Sequence, residues 1–277
     1  MIEKINKITY LLSALWKRAR KKAIFLRYFY TIDNVGDILN VELVEHYTNR
    51  KVLYPPLIWR FKHLLAVGSV LDQMNKNSTV LGSGLIAPEE LSKINELGNI
   101  KALRGKLSKK LLEDKFNIKL DIELGDFALL FPKIFNPTIE PTFEFGVVLH
   151  YVDENHSVKK LISKMGGKVI SVRQRPFNFI REIKECKNIL SSSMHGLILC
   201  DAYQIPNKRL ILSDKIFGGD FKFKDYYSTT DNKDESGLVM QDTVHESVLE
   251  DAIKLCSIKK YVFDLEKLEV IMKKLTL

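Results

Sequence analysis

The sequence has 277 residues, of which 45% are hydrophobic and 28% charged, and this balance is that of one large or two small globular domains rather than a disordered chain. Its three cysteines, Cys186, Cys200 and Cys256, are odd in number and have neither disulfide-framework nor zinc-site spacing. This excludes a small disulfide-stapled domain and indicates a reducing compartment.

The net charge of +9 is concentrated at the N-terminus. Residues 1–30 carry eight basic side chains and one acidic side chain, so they hold +7 of the total and leave +2 for the rest. The basic residues are Lys4, Lys7, Lys17, Arg18, Arg20, Lys21, Lys22 and Arg27. Nucleic-acid-binding domains present positive charge over a binding face, so this distribution does not favour such a function.

Residues 1–22 are predicted to form a basic amphipathic helix. Apolar side chains recur there at helical spacing, with the basic cluster following them: Ile5, Ile8, Leu12, Leu15, Trp16 and Ala19. The segment is too short to span a bilayer, and it differs from a signal peptide because its charge follows the apolar run. We expect it to lie on an anionic membrane surface with Trp16 as an interfacial anchor; the alternative is packing on the protein body or a partner subunit.

Residues 23–138 are predicted to form a first α/β domain. An apolar strand over residues 23–30 leads through Asn34, Gly36 and Asp37 into a helix that begins near Ile38. The stretches 63–70, 78–84 and 100–105 each have the pattern of a short buried strand that ends in a glycine loop. Such strands between helices indicate a parallel sheet covered on both faces, which binds ligands at the carboxyl ends of its strands.

The second half repeats this pattern after a predicted boundary at residues 135–142, which hold two prolines and no periodicity. In residues 142–243, predicted strands over 145–152, 168–173, 188–193 and 209–213 alternate with helices near 158–165, 179–186 and 194–203. Residues 244–277 are expected to form terminal helices. The sequence therefore predicts two doubly wound α/β units.

Residues 188–206 are the strongest candidate for a functional site. They read as a short strand, a serine-rich turn and a helix, with Ser192 or Ser193 as the expected N-cap. The free amides and dipole of the first turn can bind an anion, and they should make a protonated His195 more acidic. Gly196 would let a ligand approach the backbone closely. The alternative is a buried turn in which His195 bonds to its neighbours.

Several stretches in order carry a family resemblance. The most specific of them is SSSMHGLILCDAYQIP, residues 191–206. Five shorter stretches precede it: NVGD (34–37), GSG (82–84), LRGKLS (103–108), GDFALL (125–130) and GVVLHY (146–151). One more, GGDFKFKDYY (218–227), follows it. Together they resemble the polysaccharide pyruvyl transferase family over residues 24–230. Four positions depart from the family pattern: Gly105, Ser193, Met194 and Gln204.

The resemblance implies two Rossmann-like domains facing a cleft, a glycosyltransferase-B-like architecture. It implies transfer of the pyruvyl (enolpyruvyl) group of phosphoenolpyruvate to sugar hydroxyls of a cell-surface polysaccharide or its lipid-linked precursor, forming a pyruvate ketal. Phosphoenolpyruvate is then the donor substrate, and no cofactor, metal ion or nucleic acid is expected. With the basic helix, the expected location is the cytoplasm, peripheral to the inner face of the cytoplasmic membrane; homo-oligomerisation is left open.

The resemblance also implies the site residues. His195 is the expected proton-transfer group, since a histidine exchanges a proton near neutral pH, and Arg104 is the expected clamp for phosphate or carboxylate. The expected substrate-binding residues are Ser191, Ser192, Ser193, Gly196, Asn34, Gly36, Asp37, Gly82, Ser83, Gly84, His150, Arg173 and Lys222. The structural alternatives are a helix cap for Asp37, a core histidine for His150 and solvated or salt-bridged charges for Arg104 and Lys222.

Two other functions remain open from the sequence. A sugar-nucleotide glycosyltransferase of the same fold would use His195 and Arg104 to hold a diphosphate. An inert membrane-surface scaffold of a glycan-assembly complex would function through its basic helix. The presence of both His195 and Arg104 disfavours the scaffold.

Overall fold

The computed structural model describes residues 22–55, 61–232, 236–240 and 245–275. In this part of the chain, β-strands form two separate parallel sheets and α-helices pack around them. The protein is therefore a mixed α/β protein, as the sequence predicts. Apart from Lys22, the predicted basic helix of residues 1–22 lies outside the described residues.

The first sheet comprises, in the described chain, β1 (Ala23–Arg27), β2 (Lys51–Leu53), β3 (His63–Leu65), β4 (Ser78–Leu81), β5 (Asn99–Leu103) and β6 (Glu123–Leu124). The strand order is β2, β1, β3, β4, β5, β6, and all neighbours are parallel. Strands β1, β3 and β4 are buried along their whole length, as expected when both faces are covered. The predicted parallel sheet is confirmed, although β1, β3, β4 and β5 are each shorter than the run predicted for them.

Among the described residues, two α-helices accompany this sheet: α1 (Val35–Thr48) and α2 (Lys106–Phe116). Helix α1 begins three residues before the predicted start near Ile38 because Asn34 caps it. The Oδ1 of Asn34 accepts from the backbone N–H groups of Gly36, at 3.1 Å, and Asp37, at 3.2 Å. The cap therefore brings Gly36 and Asp37 into the first helical turn, at the carboxyl end of β1.

The second sheet comprises, in the described residues, β7 (Phe143–Leu149), β8 (Lys168–Ser171), β9 (Cys186–Ser191), β10 (Asn207–Ile211) and β11 (Leu238–Val239). Its order is β11, β10, β9, β7, β8, again with parallel neighbours. The four predicted strands are confirmed, and the two-residue β11 adds a fifth that the sequence pattern did not indicate.

In the described chain, the second sheet packs against α3 (Val158–Lys164), α4 (Pro176–Lys184) and α5 (Met194–Ala202). Helix α6 (Phe221–Tyr227) follows β10 and packs against α2 of the first half. The terminal helices are α7 (Glu246–Lys254) and α8 (Leu265–Lys273), as predicted. Helix α6 was not predicted. Across the described ranges, no helix is both long and apolar enough to cross a bilayer.

One apolar core continues from the first half of the chain into the second. Its buried members come from both sheets and their helices, among them Leu26, Leu39, Ile189 and Leu197. The 3-10 helix Phe127–Lys133 packs against α1, α5 and α8. Residues 135–142 have no regular structure, as predicted for a boundary, but the core is shared across it.

Candidate active site

A cavity of about 260 Å³ is lined by residues that follow the carboxyl ends of strands in both sheets. They come from the loops after β1, β3 and β4 and after β7, β8 and β9, and from α6. This is the edge at which parallel sheets bind ligands. Six of the predicted site residues line the cavity: Asn34, Asp37, His150, Ser193, His195 and Lys222.

His195 lies in the first turn of α5 with its ring against Gly36 of α1. The approach is so close that a Cβ atom at Gly36 would overlap the imidazole. The Nε2 atom is buried and has no hydrogen-bond partner among the described residues. The predicted alternative, a histidine bonded to its neighbours, therefore does not describe this nitrogen.

Burial lowers the pKa of His195 to about 3, with further contributions from Arg104, Lys222 and His150. The imidazole is therefore neutral at neutral pH in the unliganded protein. The pKa is lowered, as we expected from the helix N-terminus, but burial is the main cause. A neutral, buried imidazole can accept a proton directly, whereas it can donate one only after its pKa has risen.

The serine turn does not cap α5 in the predicted way. Ser193 occupies the N-cap position, but its side chain makes no capping hydrogen bond. The hydroxyl of Ser191 accepts from the Ser193 N–H at 3.0 Å, and the hydroxyl of Ser192 accepts from the His150 N–H at 2.9 Å. Ser191 and Ser192 are fully buried, so they order the turn. The first-turn amides of α5 keep no side-chain cap, which leaves this helix end suited to an anion.

Gly196 has a packing role in this structure. A Cβ atom there would overlap the Ser191 hydroxyl and lie 2.9 Å from a methyl group of Val148. The glycine thus allows α5 to pack closely on β7 and β9. This accounts for Gly196 without the ligand approach that the sequence suggested.

Lys222 lies on α6, and only 7% of its surface is exposed. Its Nζ lies 3.4 Å from the carbonyl oxygen of Phe217. Burial lowers its pKa to about 8, and the positive charges of Arg104 and Arg209 contribute. Lys222 is therefore part of the cavity wall, and the alternative of a solvated lysine is wrong. That alternative does describe Lys224, which is exposed and lies 3.9 Å from Asp220.

Arg104 does not line the cavity. Its fully buried guanidinium lies 2.8 Å from the Asp225 carboxylate and donates to the Leu85 carbonyl oxygen and the Ser69 hydroxyl, each at 2.6 Å. Direct contact with a ligand, as the resemblance implied, is not available in this arrangement. The alternative of a surface salt bridge is wrong as well, because the pair is buried. Arg104 instead holds Ser69, which does line the cavity, and adds positive potential behind it.

The glycine-serine-glycine loop after β4 also lies behind the cavity wall. Ser83 is buried, and its hydroxyl donates to the Gly68 carbonyl oxygen at 2.9 Å. Gly82 packs on Phe127 with a φ of 79°, and Gly84 leaves room for the Arg104 guanidinium. These three predicted binding residues therefore support the loop of Gly68 without contacting the cavity.

The wall formed by the first half of the chain is acidic. Asp37, Asp72 and Glu90 line it together with Gln73. Burial raises the pKa of Asp37 to about 7, although hydrogen bonds from the Asn34 side chain and the Phe29 N–H oppose the rise. Asp37 is therefore divided between its acid and carboxylate forms at neutral pH.

This raised pKa predicts a pH dependence of stability. Between its ordinary 3.8 and about 7, the folded protein holds a proton on Asp37 that the unfolded chain releases, so wild-type stability should fall as pH rises through this window. Each pKa unit corresponds to about 1.4 kcal/mol, so the loss should reach a few kcal/mol.

Urea unfolding at several pH values tests this. The difference in unfolding free energy between wild type and Asp37→Asn should change steadily from about pH 4 to 7, to the disadvantage of wild type. Asp33→Asn, at an exposed neighbouring carboxylate, is the control and should follow wild type. Parallel profiles for wild type and Asp37→Asn would contradict the account.

The two remaining predicted residues lie in different places. His150 lines the cavity, and burial, with the Lys222 charge, lowers its pKa to about 4. Arg173 is about half exposed, pairs with Glu154 at 2.9 Å and lies over the Tyr151 ring. It does not line the cavity.

Three residues of the acidic wall were not predicted from the sequence: Asp72, Gln73 and Glu90. Their only signal is that they follow glycine loops at strand ends.

The contact between Gly36 and His195 predicts the effect of a small substitution. In Gly36→Ala, the new methyl group should displace the imidazole, because the ring can rotate more easily than α1 can move. The fold should persist, since alanine is a better helix former. An NMR titration should then show the pKa of His195 moving from about 3 toward its ordinary value. An unchanged pKa in a folded variant would mean that the ring is not held there.

Comparisons with known proteins give a relative of uncharacterized function but no family. No family model matches the chain. The chain is 28% identical over 222 residues to the uncharacterized protein L143 of Acanthamoeba polyphaga mimivirus, and the alignment covers 75% of each chain. Within the described ranges, no group of three or more histidine, cysteine, aspartate or glutamate residues is arranged to hold a metal ion.

Proposed function

We propose that the protein transfers the pyruvyl (enolpyruvyl) group of phosphoenolpyruvate to two hydroxyls of a sugar, forming a pyruvate ketal. The acceptor is a cell-surface polysaccharide or its lipid-linked precursor. The observation that carries the proposal is one cavity at the carboxyl ends of the strands, where His195, Lys222 and the uncapped end of α5 come together. Together they place a group that can transfer a proton beside groups that can bind an anion.

The donor has two anionic groups, and the cavity has matching features at one end. The buried ammonium of Lys222 and the first-turn amides of α5 suit the phosphate or the carboxylate. Arg104 adds positive potential from behind Ser69 without contacting the ligand. The opposite wall carries Asp37, Asp72 and Glu90, whose oxygens can accept hydrogen bonds from sugar hydroxyls.

The reaction needs two bonds formed at one carbon. A sugar hydroxyl adds to C2 of the donor while C3 gains a proton and becomes a methyl group. A second hydroxyl then forms its bond to C2 as phosphate leaves, closing the ketal. Each hydroxyl loses a proton: one proton ends on C3, and the other leaves with the phosphate. The site must therefore provide both a proton donor and a proton acceptor.

His195 and Asp37 can fill these roles. Burial is the main cause of the lowered pKa of His195, and the negative charge of a bound phosphate would favour the imidazolium against it, so donor binding should raise this pKa. His195 would then deliver the proton to C3. The pKa of Asp37 is about 7, and its carboxylate form can accept a proton from a hydroxyl of the acceptor sugar.

The proposal includes a glycosyltransferase-B-like arrangement. The two parallel sheets would belong to two Rossmann-like domains, with the cavity as the cleft between them. The cavity lining supports this, because residues of both halves contribute. Under this arrangement the second half holds the donor, and the acidic wall of the first half holds the acceptor.

The size of the cavity favours this function over a sugar-nucleotide glycosyltransferase. Its volume of about 260 Å³ lies below the range of roughly 300–1,000 Å³ typical of pockets for drug-sized ligands. Phosphoenolpyruvate is small enough to lie inside such a site while an acceptor sugar reaches in from its open side, whereas a sugar-nucleotide donor would have to extend out of it. A glycosyltransferase therefore remains the second candidate, with weaker support.

The test is a product assay with purified protein. Phosphoenolpyruvate is incubated with lipid-linked and nucleotide-linked sugars, and phosphate release is compared with the mass of the sugar product. Our proposal expects one phosphate per pyruvyl group gained. Release of a nucleotide from a sugar nucleotide would support the glycosyltransferase, and the absence of turnover with every acceptor and donor would support the inert scaffold.

We also propose that residues 1–22 hold the protein on an anionic membrane. Deleting them removes most of the net charge, so the truncated protein should no longer float with anionic vesicles, and salt should weaken binding of the full chain. Vesicle flotation measures both effects, with neutral vesicles as the control. Equal flotation of the two proteins, or unfolding of the truncated one, would contradict the proposal.

A further inference from the structure

Lys222 has an environment that a simple anion clamp does not explain. Its side chain is almost wholly buried and lines the cavity, yet it pairs with no carboxylate among the described residues. A buried ammonium without a counter-charge is costly, so the site shifts the equilibrium toward the neutral amine relative to an exposed lysine.

The charges around Lys222 reinforce this preference. Asp225, one turn further along α6, lies 2.8 Å from Arg104, and Asp220, at the start of α6, pairs with Arg209. Both nearby carboxylates are therefore already paired with arginines. A lysine that is desolvated beside other cations is the kind that acts as a nucleophile. Its pKa of about 8, against an ordinary 10.5, means that the free amine is roughly a few hundred times more abundant at neutral pH than on an ordinary lysine.

We propose that Lys222 forms an imine with small 2-oxo acids that enter the cavity. The amine nitrogen adds to the ketone carbon, and the resulting carbinolamine loses water, so the ketone oxygen leaves with both amine protons and a C=N bond remains. No oxidant or reductant is needed. The carboxylate of the acid faces the uncapped first turn of α5, which begins at Met194 in the cavity lining.

This reaction shares the anion-binding end of the cavity with the proposed transferase but not its chemistry. Phosphoenolpyruvate has no ketone group and cannot form the imine. The adduct is therefore expected whether or not the protein transfers pyruvyl groups, and the two proposals can fail separately.

The test traps the imine in the full-length protein. Pyruvate and cyanoborohydride are added at neutral pH, and peptide mass analysis locates the resulting secondary amine. Lys222 should be modified at least about tenfold more than Lys224, which is exposed on the same helix and close to Asp220. Lys222→Arg should lose the main adduct, whereas Lys224→Arg should keep it.

Acetone, which has the ketone but no carboxylate, tests the anion-binding end. It should modify Lys222 much less than pyruvate does. Equal modification by both compounds would overturn the role of α5. Modification spread over exposed lysines, or an undiminished adduct in a folded Lys222→Arg variant, would overturn the imine itself.

Discussion

Replacing His195 by glutamine should reduce ketal formation by roughly two to four decades, the usual contribution of a positioned acid or base. Glutamine is polar and of similar size, and the imidazole makes no ion pair that would be lost. Donor binding should change much less than turnover, because Lys222 and the end of α5 remain. Steady-state rates and phosphoenolpyruvate binding, measured on the same preparations, separate the two effects.

The control is His46→Gln, at an exposed histidine in the last turn of α1, which should keep the wild-type rate. The pKa of His195 is lowered on folding, so wild-type stability should decline as pH falls from about 6.5 toward 3, and this decline should be smaller in His195→Gln. A folded His195→Gln variant with the wild-type rate would return the histidine to a structural role.

The largest loss of stability is expected from Asp225→Asn. Asp225 and Arg104 are both fully buried, and the carboxylate also accepts from the N–H of Ser108, at 2.9 Å, and its hydroxyl, at 2.7 Å. Removing one partner leaves the arginine charge buried and unpaired, which typically costs about 3–5 kcal/mol. Urea unfolding measures this loss as a lower midpoint with an unchanged slope.

A surface pair provides the comparison. Lys110 and Asp114 lie 2.8 Å apart on the exposed face of α2, and Asp114→Asn should cost less than about 1 kcal/mol. Arg104→Lys should resemble Asp225→Asn, because one ammonium cannot reach Asp225, Ser69 and Leu85 together. Equal midpoints for Asp225→Asn and Asp114→Asn would show that the buried pair contributes little.

Much of the fold was predictable because parallel buried strands leave short, continuous apolar runs. The apolar runs are longer than the strands that form. In residues 63–70 the strand covers only His63–Leu65, because the following residues form the loop that lines the cavity. Strands β2 and β6 are short and partly exposed, so they carry almost no pattern. Helix α6 was missed because its residues were interpreted only as a glycine-led motif.

Site residues were predictable where a titratable side chain comes shortly after the end of a strand. His195 and His150 are such residues, and they line the cavity. Asp37 lines it as well, from the first turn of the helix that follows β1. Arg104 has the same sequence pattern, but its side chain faces the protein interior, where it pairs with Asp225. Asp225 lies 121 residues further along the chain. No local pattern reveals a pair so distant in sequence. Only the packing of α6 against the loops of the first half decides which way the arginine points.

The most direct test of the account is a crystal structure of the protein with phosphoenolpyruvate bound. We expect one anionic group of the donor within hydrogen-bond distance of the Lys222 ammonium and of the first-turn amides of α5, with its C3 carbon beside the His195 ring. Arg104 should remain paired with Asp225 in that complex. A donor bound elsewhere, or bound in this cavity with C3 remote from His195, would contradict the proposed site.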